Sequence, residues 1–190
     1  VRLKNSQGVV NSDTYLGLCC LRNLGLNAEY SRLVKYCNFV LVAIQSNSEK
    51  MQVAARWFED VWNAEDTTAL QQIASPGLVM TDTSWWPEPF EGRDRVQRVI
   101  EEYLSAFKSF RYEVDEIMSS GDGIVVMAHW TARAMHLGMF LGMPASGRVE
   151  EISGVTTFRF QGNSQISSIE VFRERLSQER RGVGVLDCGI

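Results

Sequence analysis

The stretch GDGIVVMAHWTARAMHLGMFLGMPASGR, Gly121 to Arg148, decides the fold. Its first half, Ile124 to Met135, reads as one long strand entered from the hairpin turn SSGDG. Its second half holds His136, three glycines, Pro144 and Arg148 around an apolar Met/Phe/Leu run. That is a glycine-punctuated connection to the next strand. Outward from it the period stays near two. FRYEVDEIM alternates through Phe110, Tyr112 and Val114. VEEISGVTTFRF, residues 149–160, is a further strand; QGNSQ turns the chain, and ISSIEVFRE, residues 166–174, closes a four-strand antiparallel meander.

Upstream the period is helical. Ala54, Trp57, Phe58, Val61 and Trp62 share one helix face. NAED breaks it, TTALQQIA forms a short second helix that stops at SPG, and LVMTD, Leu78 to Asp82, is an early strand. SWWPEPFEG is a loop with two prolines. Val96, Val99, Ile100, Tyr103, Leu104 and Phe107 mark a third helix with an acidic, glycine-led start. Helices followed by strands mean α+β: about three N-terminal helices wrapped by a cone-shaped, curved, mixed/antiparallel sheet that encloses an apolar pocket.

Composition bounds the function. Charged residues are 22% and apolar residues 45%, as in ordinary globular domains. The net charge of −4 comes without a basic stripe, which argues against nucleic acid as a partner. The longest apolar run, Phe39 to Ile44, is far short of a membrane helix. Four cysteines without a C-x-x-C pair, and two histidines seven apart, give no metal pattern. Free thiols in a reducing compartment, hence a cytoplasmic protein, is the expectation.

Residues 1–50 differ from the rest, with six Lys/Arg against three Asp/Glu and no Met. Three readings stand: a leader upstream of a start at Met51, an organellar presequence, or a helical extension. The expected division is 1–50 as N-terminal extension, 51–182 as the α+β domain and 183–190 as a tail.

The loop in the opening stretch resembles a family pattern, His–x–Gly–x–Phe–x–Gly–x–Pro–x–Thr–Gly–Arg. Here the pattern falls on His136, Gly138, Phe140, Gly142, Pro144, Ser146, Gly147 and Arg148, with Ser for Thr. With the Gly-Asp before the long strand, EGRDRVQRVI and VWNAED, it makes residues 53–182 similar to the SnoaL-like polyketide cyclases of the nuclear transport factor 2-like superfamily. The resemblance implies a cofactor-independent general acid/base enzyme of the cyclase/isomerase type, acting on a hydrophobic carbonyl compound. It also implies a homodimer formed through the open face of the sheet. The family's acid/base Asp, eight residues after an Ile on the last strand, falls on Glu174. A Trp four residues earlier is replaced by Glu170, and QERRG stands where the family ends in QLG.

By this resemblance the catalytic pair is Glu174 and His136. The carboxylate takes a proton beside a carbonyl and the imidazole assists at the oxyanion. Glu reaches about 1.5 Å farther than Asp, one carbon–carbon bond. Trp62, Trp85, Trp86 and Phe140 are the candidate substrate-binding residues, with no metal and no cofactor. Each also has a structural reading. Glu174 can be a solvated carboxylate beside Arg173 or Arg175, and His136 a loop histidine bonded to backbone. The tryptophans can be core or interface, and Arg133 pairs with Glu150 or Glu151. Two non-catalytic readings stay open: a carrier of a hydrophobic small molecule, and a dimeric scaffold. Epoxide hydrolysis needs more polar partners around a water than the sequence locates.

Overall fold

The computed structural model describes residues 2–3, 47–82, 84, 88–162 and 164–176. Most of the N-terminal extension, all four cysteines, Trp85 and Trp86 lie outside the described residues. The first helix, α1, runs over residues 47–63, and its last seven, Trp57–Asn63, are π-helical. It therefore starts before Met51. A 3-10 turn, Thr67–Ala69, leads into α2, Leu70–Ile73. Helix α3 is Arg93–Ala106, entered from Gly92 at φ 90° with Asp94 in its first turn.

The strands are β1 (Arg2–Leu3), β2 (Ala74–Asp82), β3 (Phe90–Glu91), β4 (Phe107–Ser119), β5 (Val125–His136), β6 (Val149–Gln161) and β7 (Gln165–Arg173). They form one sheet in the order β1-β4-β5-β6-β7-β2-β3. The antiparallel meander β4–β7 is as the alternation predicts. The early strand β2 joins it parallel to β7. Three details differ from the sequence reading, the first being that Phe107, read as the last apolar position of the third helix, is extended and opens β4. SPG does not end a helix but begins β2, through an irregularity between Ala74 and Val79. The Pro-rich loop ends in β3, which pairs Phe90 with Met80.

The helices lie on one face of this curved mixed sheet, and the fold is the expected α+β cone. The α1 face Ala54, Trp57, Phe58, Val61 and Trp62 is buried against inward strand residues such as Ile117, Trp130, Phe158 and Ile169. Fully burying one such side chain stabilises the fold by about 1.5–3 kcal/mol. The opening stretch closes a second, smaller core of Ala106, Phe107, Ala134, Phe140, Met143 and Leu176. Phe140 and Met143 exchange both backbone hydrogen bonds across Leu141 and Gly142, at φ 48° and 76°. Both central residues at positive φ match a type I′ hairpin turn. Gly138 serves a different need: a Cβ there would stand 2.7 Å from the Ala106 Cα. It lets the loop dock on the end of α3, where Leu137 and Gly138 both donate to the Ala106 carbonyl.

Candidate active site

On β2, β5, β6 and β7 the inward row ends in a polar residue at the same end of the cone. On β2 the buried series is Leu78, Met80, Asp82; on β7 it is Ile169, Val171, then Arg173, whose side chain is 5% exposed. On β6 the row runs Phe158, Thr156, Gly154, Ile152, Glu150, and on β5 Trp130, Ala132, Ala134, His136. Asp82, Arg173 and Glu150 line one cavity that is open to solvent at its mouth. Its walls are otherwise mostly apolar, including Trp57, Trp62, Tyr103, Phe107 and Phe110.

The polar wall is tied together. Arg173 Nε donates to Asp82 Oδ2 at 2.9 Å, with both side chains 5% exposed. Arg173 Nη1 donates to the Glu174 carbonyl at 2.9 Å, and Ser84 N donates to Asp82 Oδ1 at 3.1 Å. Removing two charges from water costs several kcal/mol per ion, and a buried pair often only balances that cost. An ion pair kept inside an apolar cavity is therefore a functional-site signal. Glu150 is 5% exposed on the same wall.

Tyr112 reaches the cavity from β4. Its ring sits among Phe58, Trp62, Phe110 and Trp130, with centroids 4.8–5.6 Å away. Its backbone is clamped by one side chain: Tyr112 N donates to Asn63 Oδ1 at 2.7 Å, and Asn63 Nδ2 donates to the Tyr112 carbonyl at 3.0 Å. Burial pushes its phenol well above the usual tyrosine range; the nearby Arg173 charge opposes this and that of Asp82 adds to it.

The fold does not bring the sequence-expected pair together on this cavity. Glu174 is exposed, and its Oε2 accepts from Ser153 N at 3.2 Å. The physical reason is parity. Register shifts between Arg159 and Phe160, which pair with Ser168 and Ile166. Two residues, not one, thus separate the inward Ile166 and Ile169, and a count of eight from Ile166 lands on the outer face. His136 is 1% exposed and stacks on Phe107 at 4.7 Å, behind the cavity wall, and its Nε2 has no hydrogen-bond partner among the described residues. Phe140 lies in the second core, touching Tyr103 at 4.4 Å and Phe107 at 5.3 Å, rather than at the cavity mouth. Trp62 lines the cavity. His129 is on the outer face, 2.9 Å from Asp115, and Arg133 pairs with Glu151, its cross-strand neighbour.

Sequence reasoning missed Asp82, Arg173 and Glu150. The signal was present: Asp82 and Arg173 each continue an every-second-residue apolar series, Leu78–Met80 and Ile169–Val171, while Glu150 precedes Ile152 at the start of its row. Reading LVMTD and IEVFR as strands without asking where their last inward residue points hides it.

A family model, SnoaL-like polyketide cyclase, matches residues 52–180. Among solved structures, a candidate SnoaL-like polyketide cyclase from Jannaschia sp. CCS1 superposes with TM-score 0.60 at 18% identity, covering 67% of this chain and 86% of that one. A candidate polyketide cyclase from Acidithiobacillus ferrooxidans gives TM-score 0.60 at 19% identity, over 71% and 96%. AclR, a candidate hydroxylase from Streptomyces galilaeus, gives 0.59 at 23%, over 71% and 85%. At these identities the structures speak for the fold alone. Comparison with curated proteins finds no match. No helix among the described residues is long and apolar enough to cross a membrane. With the family model covering most of the chain and the cone matching those structures, the chain belongs to the SnoaL-like polyketide cyclase family.

Proposed function

We propose that the protein is a cofactor-independent acid/base enzyme of the cyclase/isomerase type that acts on a hydrophobic carbonyl compound, with its reacting groups on the inner wall of the cone. The observation that carries this reading is the meeting of Arg173 with two buried carboxylates, Asp82 and Glu150, in one largely apolar cavity. In the proposed chemistry Glu150 takes a proton from the carbon beside the carbonyl. The guanidinium of Arg173 faces the negative charge that develops on oxygen, and Asp82 holds that guanidinium in place. Fixed charges in a water-poor site need no reorganisation as the reaction proceeds, which is why they act strongly there. Glu174, on the outer face, is not a reacting group in this scheme.

Proton abstraction can be followed without the natural substrate. In D2O the protein is expected to accelerate deuterium uptake at the α-carbons of 2-tetralone, read by NMR. Glu150→Gln should slow that uptake by about a hundredfold or more, and Glu174→Gln should leave it within about twofold of the parent. The reverse ranking would return the reaction to Glu174. No acceleration by the parent protein, with tetralone still bound, would make the chain a carrier of hydrophobic molecules.

We also propose that the protein is a homodimer joined through the outer face of the sheet. That face carries Met118 opposite Met127 and Met135 opposite Val149, with Phe172 on the neighbouring strand, all 38–62% exposed. These apolar side chains stand at both ends of the face, on either side of the His129–Asp115 and Arg133–Glu151 pairs, so the proposed interface is of mixed polarity. Analytical ultracentrifugation should give twice the chain mass of 21.5 kDa. Met127→Glu should return it to the monomer, and a monomeric parent would dismiss the assembly.

A further inference from the structure

We propose that Tyr112 is the hydrogen-bond donor that recognises the carbonyl oxygen of the ligand, so that the cavity selects flat, ring-containing ketones over hydrocarbons of the same shape. The inference rests on reading the cavity as a site for hydrophobic carbonyl compounds, and it adds the group that does the selecting.

Three observations lead to it. First, the Tyr112 side chain makes no hydrogen bond to the described residues, while its ring lines the cavity. A phenol in apolar surroundings ordinarily finds an acceptor. Second, the residue is held in place before any ligand arrives. The Asn63 clamp fixes its backbone and four aromatic neighbours fix its ring. A donor held this way spends little ordering entropy on binding. Third, Arg173 already donates through Nε to Asp82 and through Nη1 to the Glu174 carbonyl. A neutral hydroxyl suits an uncharged ketone oxygen, and burial keeps that hydroxyl protonated to high pH. The flatness of the ligand follows from the walls: Trp57, Trp62, Tyr103, Phe107 and Phe110 offer ring surfaces that pack best against another ring.

The test uses two tricyclic probes of nearly one shape, 9-fluorenone and fluorene, with binding read from the tryptophan fluorescence of the whole chain. Fluorenone has no α-hydrogen, so its binding is independent of proton transfer, and a failure of the exchange assay and a failure here are separate results. The parent protein is expected to bind the ketone about three- to tenfold more tightly than the hydrocarbon, the range of one neutral hydrogen bond. Tyr112→Phe should erase that preference and leave fluorene affinity within about twofold. Glu174→Gln, on the outer face of the sheet, should keep the preference. The proposal is overturned if the parent shows no preference or binds neither probe, or if Tyr112→Phe retains the preference. Loss of fluorene binding in Tyr112→Phe would also overturn it, because the hydroxyl would then be holding the fold rather than the ligand.

Discussion

Asp82→Ala is expected to destabilise the protein by about 3–5 kcal/mol, the usual cost of stranding one member of a buried ion pair. The Arg173 guanidinium would keep its bond to the Glu174 carbonyl but lose the Asp82 carboxylate that its Nε donates to, with its side chain only 5% exposed. Ser84 N would lose its acceptor as well. Chemical denaturation would read the loss as a lower midpoint at unchanged slope. The double replacement Asp82→Leu with Arg173→Met removes both charges together. It should recover most of the lost stability, because apolar pairs of similar volume commonly equal or exceed a buried ion pair. That recovery, joined to loss of α-proton exchange, would identify the pair as retained for chemistry rather than for folding. A loss below about 1 kcal/mol in the single variant would mean that water reaches the guanidinium, as at a surface pair.

The second large effect is expected at Gly154, in the middle of β6. Glycine in a strand interior ordinarily weakens it by about 0.5–1 kcal/mol relative to alanine, so replacement would normally help. Here the sign reverses. A Cβ on Gly154 would stand 2.5 Å from Trp130 Cζ2, 2.7 Å from its Cη2 and 2.7 Å from the Phe172 carbonyl oxygen. Trp130 has no slack: it is fully buried and its Nε1 donates to Thr156 Oγ1 at 2.9 Å. The Phe172 carbonyl is backbone in β7, paired across β6 one residue before Arg173. Gly154→Ala should therefore cost about 3 kcal/mol, at the upper end for overpacking, and should loosen the site by displacing the neighbouring Arg173. Gly77→Ala is the control, since a Cβ there meets nothing within 4 Å. Its effect should stay within about 0.5 kcal/mol. Equal midpoints for the two variants would show that Trp130 can turn aside.

The fold was legible because its two periods are clean. The residues 54, 57, 58, 61 and 62 have one helical side available to them, and Val126, Ala128 and Trp130 alternate without interruption until the strand ends. The candidate site was legible only in part. Trp62 was legible as a member of the buried helical face, but its reaching the same cavity as Trp57 depends on the π-helical turn. Arg173 and Glu174 are adjacent, and choosing between them requires strand parity at the end of β7. That parity is reset by the irregularity between Ile166 and Ser168, which leaves no mark in a sequence of small and apolar residues. Asp82 and Glu150 were hidden differently. Each sits beside other polar residues at a strand end, where a charged side chain ordinarily reaches solvent. Only the parallel placement of β2 beside β7 turns Asp82 toward Arg173. No local pattern encodes that long-range pairing.

Trp57 and Trp62 are five residues apart, yet both line the cavity, with ring centroids 6.0 Å apart. In a regular α-helix, at about 100° per residue, they would diverge by about 140°. The π-helical turn from Trp57 to Asn63 brings the fifth residue round toward the first. It also delivers Asn63 to the backbone of Tyr112. The aromatic wall and the tyrosine clamp thus share one turn of the helix, which holds a single surplus residue. With that residue removed, Trp62 would stand four residues after Trp57, about 40° round a regular α-helix, and would keep its place on the wall. The first helix therefore carries an extra residue without turning its aromatic face away from the sheet.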